Sequence, residues 1–369
     1  MSQVDKLYIA AIGMITPIGF NAEMTNASFK AGISAYHDSP YVNPQFKPIK
    51  MALVPQDALP AIDEGLDACL QYSRWHKHLI QMAHAGLEQA FSDYQNESEI
   101  PLLLACPEQH RDSLSPLPKG FLKNLIEQTG LAICPDHSSM IHCGRAGGID
   151  VIDRAFKIFE QTDFEEVVIG GVDSFQRTEL LHLLHEQGRL AGEEVTHGFV
   201  PGEAGAFIRV SRAPVSTFSP QQLVCLNAPG ISQEQGHLYS DEPYRGDGLA
   251  RAVTSALSNT PQTTIHNVYQ TMNGEAYWAK ELGVAMTRNS KRLSKQVKQQ
   301  HPADCYGDLG AASAAVLIGL AALDLTTQAP NSAHLISCSS DLQYRGAITI
   351  ATIKEDAITP MASQQELSA

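Results

Sequence analysis

The chain has 369 residues, more than one simple core holds, and 43% hydrophobic against 18% charged residues is the balance of a globular protein with a large interior. A formal net charge of −14 argues against a nucleic-acid binder, which needs a basic face, and against docking on an anionic membrane surface. The seven cysteines are scattered, odd in number and never paired as CxxC, which argues against a disulfide framework or zinc site and fits a reducing, cytoplasmic compartment.

Leu7–Met14 is an apolar run ending in Thr-Pro-Ile-Gly, a strand followed by a turn. The preceding residues lack the basic segment and long apolar stretch of a secretory signal. Met24–Ala31 spaces as a short helix closed by Gly32, and a proline-containing irregular stretch follows over 34–61. Arg74–Tyr94 is helical in spacing, with Leu79, Met82, Ala83 and Leu87 on one face. Ile100–Ala105 is a buried strand, Leu122–Thr129 a helix, Ser138–His142 a short strand, Gly148–Gln161 an amphipathic helix, and Glu166–Gly170 and Ala204–Val210 are strands. From Leu223 the order repeats: strand Leu223–Asn227, helix Gly246–Leu257, strand Thr264–Tyr269, helix Ala276–Ala285. The apolar run Gly310–Leu323 is too short to span a bilayer and predicts a fully buried helix. Two last strands, "HLISCSS" and "GAITIATI", echo "EVVIGGVDS" and "GAFIRVS" in order and pattern. Strands alternating with helices imply a mainly parallel sheet, here in two similar α/β halves, 1–215 and 216–353, with a frayed polar tail at 354–369. The basic run 288–298, "RNSKRLSKQVK", reads as a solvated helix face or as a docking patch for an acidic partner.

"IHCGRAGGID" at 141–150 places Cys143 at a strand-to-helix turn, where a helix N-terminus lowers a thiol pKa and backbone N–H groups can hold an oxyanion. Cys143 is therefore a candidate nucleophile, with His137 or His142 as base, or a small turn residue. His182 and His185 are three apart, but no third metal ligand stands at sensible spacing, so no metal is expected.

"YIAAIGMITPIG", "VVIGGVDS", "HGFVPGEAGAFIRV" and "GDLGAASAAV", in this order and spacing, resemble the β-ketoacyl-(acyl carrier protein) synthases of the thiolase superfamily over nearly the whole chain. The resemblance implies the thiolase-like α/β fold, two pseudo-symmetric halves in five layers (αβαβα), and a homodimer in which the strand before the active-site helix pairs across the two-fold. It also implies a cysteine that takes an acyl group, two histidines that support decarboxylation, and a supporting lysine. Counted without a gap from Gly170-Gly171, the nucleophile position holds Arg145, not Cys143. Placing Cys143 there needs two residues inserted into the helix, which would rotate its later side chains by about 200°, yet Ile149, Ile152, Phe156 and Phe159 keep one unbroken face. The first histidine position holds Tyr269 in "NVYQT", and His266, three residues earlier, points to the other strand face. The second holds Gly307 and the lysine position Pro302; "SDLQYRG" stands where the family has a Gly-Phe-Gly-Gly turn.

Arginine stays protonated and cannot be a nucleophile. By the same resemblance the cleft is lined by Arg145, Tyr269, Thr271, Tyr306, Asp308, Tyr344 and Arg345, with Gly202 and Glu203 structural. Arg145 is expected to be buried and paired, with Asp308 or carbonyls of the Tyr344–Gly346 turn as partners. The expectation is a catalytically degenerate, non-condensing homologue that uses no cofactor and binds an acyl or acyl-carrier-protein ligand or another protein. The alternative is an active acyltransferase using Cys143.

Overall fold

The computed structural model describes residues 4–69, 72–96, 98–109, 117–193, 195–218, 222–261 and 263–354; the tail expected beyond Lys354 lies outside them. In chain order the elements are β1 (Lys6–Ile15), α1 (Ala22–Lys30), β2 (His37–Val42), β3 (Pro48–Met51), α2 (Glu64–Asp67), α3 (Arg74–Ala90), β4 (Leu102–Ala105), α4 (Phe121–Thr129), β5 (Ser139–Ile141), α5 (Gly147–Gln161), β6 (Glu166–Ser174), α6 (Thr178–Glu186) and β7 (Glu203–Ser211). Then follow β8 (Gln222–Asn227), β9 (Gly230–Gln233), α7 (Asp247–Ser258), β10 (Ile265–Gln270), α8 (Ala276–Arg288), β11 (Leu293–Gln300), α9 (Ala303–Tyr306), α10 (Ser313–Leu325), β12 (Ala333–Ser339) and β13 (Tyr344–Lys354).

The main sheet runs β11-β10-β12-β13-β8-β1-β7-β6-β4-β5, with β9 added on β13. Numbered within its own half, each set of five strands has the order 3-2-4-5-1, with only the fifth strand, β7 or β13, antiparallel to its neighbours. The halves join where Lys6–Tyr8 of β1 pair antiparallel with Cys225–Asn227 of β8. Helices α5 and α10 lie between the two half-sheets: α10 touches β6 and β7 on one side and β10, β12 and β13 on the other, and α5 touches β4, β6 and β13. Helices α3 and α4 cover the outside of the first half-sheet, and α7 and α8 cover the second. This is the five-layer architecture expected.

Composition explains the middle layer. Helix α10 is apolar on all sides, and Leu317, Ile318 and Leu320 are buried, each worth about 1.5–3 kcal/mol of transfer free energy. Helix α5 has one apolar stripe, Ile149, Ile152, Phe156 and Phe159, all in the same central cluster.

The sheet and two stretches differ from the sequence reading: the sheet is mixed rather than mainly parallel, because β7 and β13 return antiparallel between their neighbours and the halves join antiparallel through β1 and β8. The irregular segment 34–61 contains the β2–β3 hairpin. The basic run does not form a helix face: α8 stops at Arg288, and Asn289 donates to the carbonyls of Ala250 and Ala285 while accepting from Thr254. The chain then enters edge strand β11 beside β10. Leu293 and Val297 are four apart, a helical spacing, so only the pairing with β10 reveals a strand.

Glu203 anchors the first half. It is fully buried; Oε1 accepts the Val54 N–H at 2.8 Å, and Oε2 accepts from Ser174 Oγ at 2.6 Å and Gln176 Nε2 at 2.7 Å and meets His78 Nε2 at 3.0 Å. Burial would raise its pKa, but the His78, Ser174 and Gln176 contacts prevail and lower it. Glu203→Ala should lower unfolding free energy by about 3 kcal/mol, the cost of leaving several buried donors without an acceptor, as read from urea denaturation.

Candidate functional site

Gly144 has φ +58°, a left-handed value that turns the chain after β5 so that Arg145 enters the interior at the head of α5. Arg145 is only 4% exposed. Its Nε donates to Asp308 Oδ1 and Oδ2 at 3.0 and 2.8 Å, Nη2 to Asp308 Oδ2 at 2.6 Å, and Nη1 to Asp341 Oδ1 at 2.8 Å. The Trp278 ring lies 5.2 Å from the guanidinium carbon.

Asp341 is shared. Arg189 donates to it from Nη1 at 2.6 Å and Nη2 at 3.1 Å, and clamps Glu275 from Nε and Nη2 at 2.7 and 2.9 Å. Asn273 donates to Asp308 at 2.8 Å and Glu275 at 3.1 Å, and Trp278 Nε1 donates to Glu275 at 2.9 Å. Beside this, fully buried Arg345 donates from Nε to Glu281 at 2.7 Å and from Nη1 to the carbonyls of Ser340, Leu342 and Tyr344. Arg145 and Arg189 come from the first half; Asn273, Glu275, Asp308 and Asp341 come from loops at the C-terminal ends of the second half-sheet and ahead of α10.

Burial alone would lift the Asp341 pKa, but the Arg145 and Arg189 charges hold it well below the usual carboxylate range. Glu108, which accepts the Asp341 and Leu342 N–H groups at 2.9 and 3.0 Å, is pushed up to about 8 by burial and then by Asp341. Burial also lifts Asp173 to about 7, although it accepts the Ala311 and Ser174 N–H groups at 2.9 and 2.8 Å. Gly310 makes room for it: a Cβ there would lie 2.0 Å from Asp173 Oδ2.

The other expected site residues are placed as follows. Gly307 has φ +75°, and a Cβ there would lie 2.6 Å from the Val200 carbonyl oxygen, so no side chain fits. Tyr269 turns towards α10, where it interacts with Asp324 and lies 5.7 Å, ring to ring, from His334. Tyr306 is buried in the central cluster. Thr271 Oγ1 accepts the Ser339 N–H at 3.1 Å. Tyr344 hydrogen-bonds Cys143. A Cβ on Gly202 would lie 2.4 Å from the Tyr306 carbonyl oxygen. Of the expected set, only Arg145 and Asp308 meet as an ion pair; Arg189, Asn273, Glu275, Trp278, Asp341 and Glu108 complete the site and carried no signal beyond being polar residues in loops after strands or, for Trp278, one aromatic on α8.

Burial, then the Asp150 and Glu108 charges, raise the Cys143 thiol to about 11. At pH 7 about one part in ten thousand is thiolate. Neither His137 nor His142 hydrogen-bonds it among the described residues; His137 packs edge-on against Phe164. The nearby Ala146 N–H, which could face an oxyanion, is bonded to Ser340 Oγ at 2.9 Å. His182 is exposed on α6, and no group of three metal-ligating side chains occurs among the described residues. The arrangement binds charge and ties loops together; its guanidinium groups keep their protons. Above Gly144 and Arg145 opens a cleft of about 690 Å³, walled by Trp75, Phe175, Leu180, Leu183 and Leu184 on one side and the Asp341–Tyr344 turn on the other.

No family model and no curated protein matches the sequence. Solved structures do. The ishigamide ketosynthase/chain length factor matches with a TM-score of 0.72 at 13% identity, over 94% of this chain and 99% of that one. The ketosynthase ApeO in complex with its chain length factor ApeC, from Xenorhabdus doucetiae, gives 0.70 at 16% identity, over 95% and 99%. AntDE:AntF, a type II polyketide acyl-carrier protein in complex with its ketosynthase bound to the hexaketide, gives 0.70 at 12% identity, over 95% and 99%. At these identities the likeness is one of fold: the chain has the thiolase-like fold of the ketosynthases.

Arg145→Ala leaves Asp308 and part of Asp341 uncompensated and should cost about 3–5 kcal/mol of unfolding free energy, largely recovered when Asp308→Asn and Asp341→Asn are added. Stability should fall as pH rises from about 5 to about 8, because folded Glu108 and Asp173 keep protons that ordinary unfolded carboxyls release. Glu108→Gln should flatten that slope in urea titrations across this range.

Proposed function

We propose that this protein, built on the ketosynthase fold, does not condense acyl groups, and that it acts by binding an acyl or carrier-protein-borne ligand and a protein partner. The observation that carries this reading is the buried, fully paired guanidinium of Arg145 at the position where the sequence resemblance puts the nucleophile. Gly307 and Tyr269 support it, since neither offers an imidazole and Gly307 has no space for one. The raised Cys143 thiol opposes a substitute nucleophile.

Solved neighbours include a ketosynthase with its chain length factor and a ketosynthase with its acyl-carrier protein. By analogy the partner is a second copy of this chain, a protein of the same fold or a carrier protein. The edge strand β5, paired only with β4 among the described residues, is the place for a second copy. No described helix is long and apolar enough to cross a membrane.

Incubated with acyl- and malonyl-loaded carrier protein, the protein should yield neither an elongated product nor released CO₂ above background. Arg145→Cys should restore neither, because the histidine positions stay empty of imidazole. Turnover that Cys143→Ser abolishes would overturn the proposal and establish an acyltransferase. Iodoacetamide should modify Cys143 about 100-fold more slowly than free cysteine at neutral pH, by peptide mass analysis.

A further inference from the structure

The cleft above Arg145 contains one cation that the ionic network does not use. Arg177, between β6 and α6, stacks its guanidinium carbon 4.8 Å from the centroid of the Trp75 ring. Trp75 is itself fixed, its Nε1 donating to the Ser174 carbonyl at 2.9 Å. No carboxylate lies within ion-pair distance of Arg177 among the described residues; Asp173 and Glu179 act on it only at longer range. Burial lowers its pKa more than the distant Asp173 and Glu179 charges raise it, the sign of a charge held partly out of water.

The rest of the lining makes this charge count. Asp341 is neutralised by two arginines, and Glu108 and Asp173 hold their protons up to about 8 and about 7. Glu179 is exposed on α6. Arg177 is therefore the lining cation left without an ion-pair partner among the described residues, with exposed Glu179 and a half-ionised Asp173 acting on it only at longer range. Beside it, Leu180 and Leu184 form an apolar wall continued by Leu183, which is 41% exposed and so presents apolar surface to the cleft. A volume of about 690 Å³ with an apolar wall and one convergent charge suits a small amphiphile.

We infer that the cleft binds a free amphiphilic carboxylate, its head group forked on Arg177 over Trp75 and its chain laid along Leu180, Leu183 and Leu184. Planar guanidinium and carboxylate groups pair through two parallel hydrogen bonds, a fit that a lysine cannot give. No covalent step is involved. The inference deepens the binding role proposed above by naming the ligand class, and it does not depend on the absence of condensation.

Isothermal titration with dodecanoate at neutral pH tests it, with dodecanol and dodecylammonium as controls. Dodecanoate should bind saturably with one site, and both controls at least about 10-fold more weakly. Arg177→Gln should weaken dodecanoate by about 10- to 100-fold, the worth of hydrogen bonds to a charged group, and Arg177→Lys should restore only part of the loss. Leu183→Asp should also weaken it, with unchanged urea midpoints for all three variants showing that the fold is intact. Equal binding of the alcohol, an unchanged affinity in Arg177→Gln, or no saturable binding of dodecanoate would each overturn the inference. The elongation assay reads the non-condensing proposal separately, so failure here leaves that proposal standing or falling on its own result.

Discussion

A guanidinium taken out of water must find its counter-charges in the protein, and Arg145 finds them in the opposite half of the fold. It enters from the first half, at the turn before α5, and is met by Asp308 and Asp341 from the second. Arg189 repeats the pattern through Asp341 and Glu275. The loops after β10 and β12 and the segment ahead of α10 are thus held by charges that cross the seam between half-sheets. An arrangement that opened the seam would expose unpaired charge on both sides.

Such a network need not add much net stability. Taking its ions out of water costs several kcal/mol per ion, and well-packed apolar residues can do as well or better. Its effect is on arrangement. Each arginine is planar and forked, so Asp308, Asp341 and Glu275 must present their oxygens in set directions. The apolar middle layer brings the halves together without direction; the ion pairs fix which loop faces which. The same charges form the floor of the overlying cleft at Arg145 and Asp341.

The architecture was legible because it is written in long apolar runs. Gly310–Leu323 has no polar face, so it could only be a helix covered on all sides, and α10 is that helix. Arg145 was legible by counting along one uninterrupted helical stripe, and Asp308 by its nearness to the start of α10. Arg189, Glu275 and Asp341 were not, because ion pairs between residues 86 and 152 positions apart leave no periodicity in the sequence. Tyr269 was misleading for another reason: strand alternation gives its face but not its height along the strand, and its hydroxyl ends at Asp324, at the far end of α10. The β11 segment failed because Leu293 and Val297 satisfy both a helical turn and an irregular edge strand.

The junction of the two half-sheets has a bearing on the order of assembly. Strand β1 is made before β7 and β8, yet these are its neighbours: Tyr8 lies opposite Ser211 in one and Cys225 in the other. Strand β1 therefore waits for about 200 further residues to be synthesised before its sheet partners exist. Until then Leu7, Ile9 and Met14, which end in the central core, have no wall to close on. Loop closure over that distance is slow, and an exposed apolar strand is a hazard while it lasts. The nascent chain is therefore in most need of a chaperone at β1, in the interval before β7 and β8 emerge.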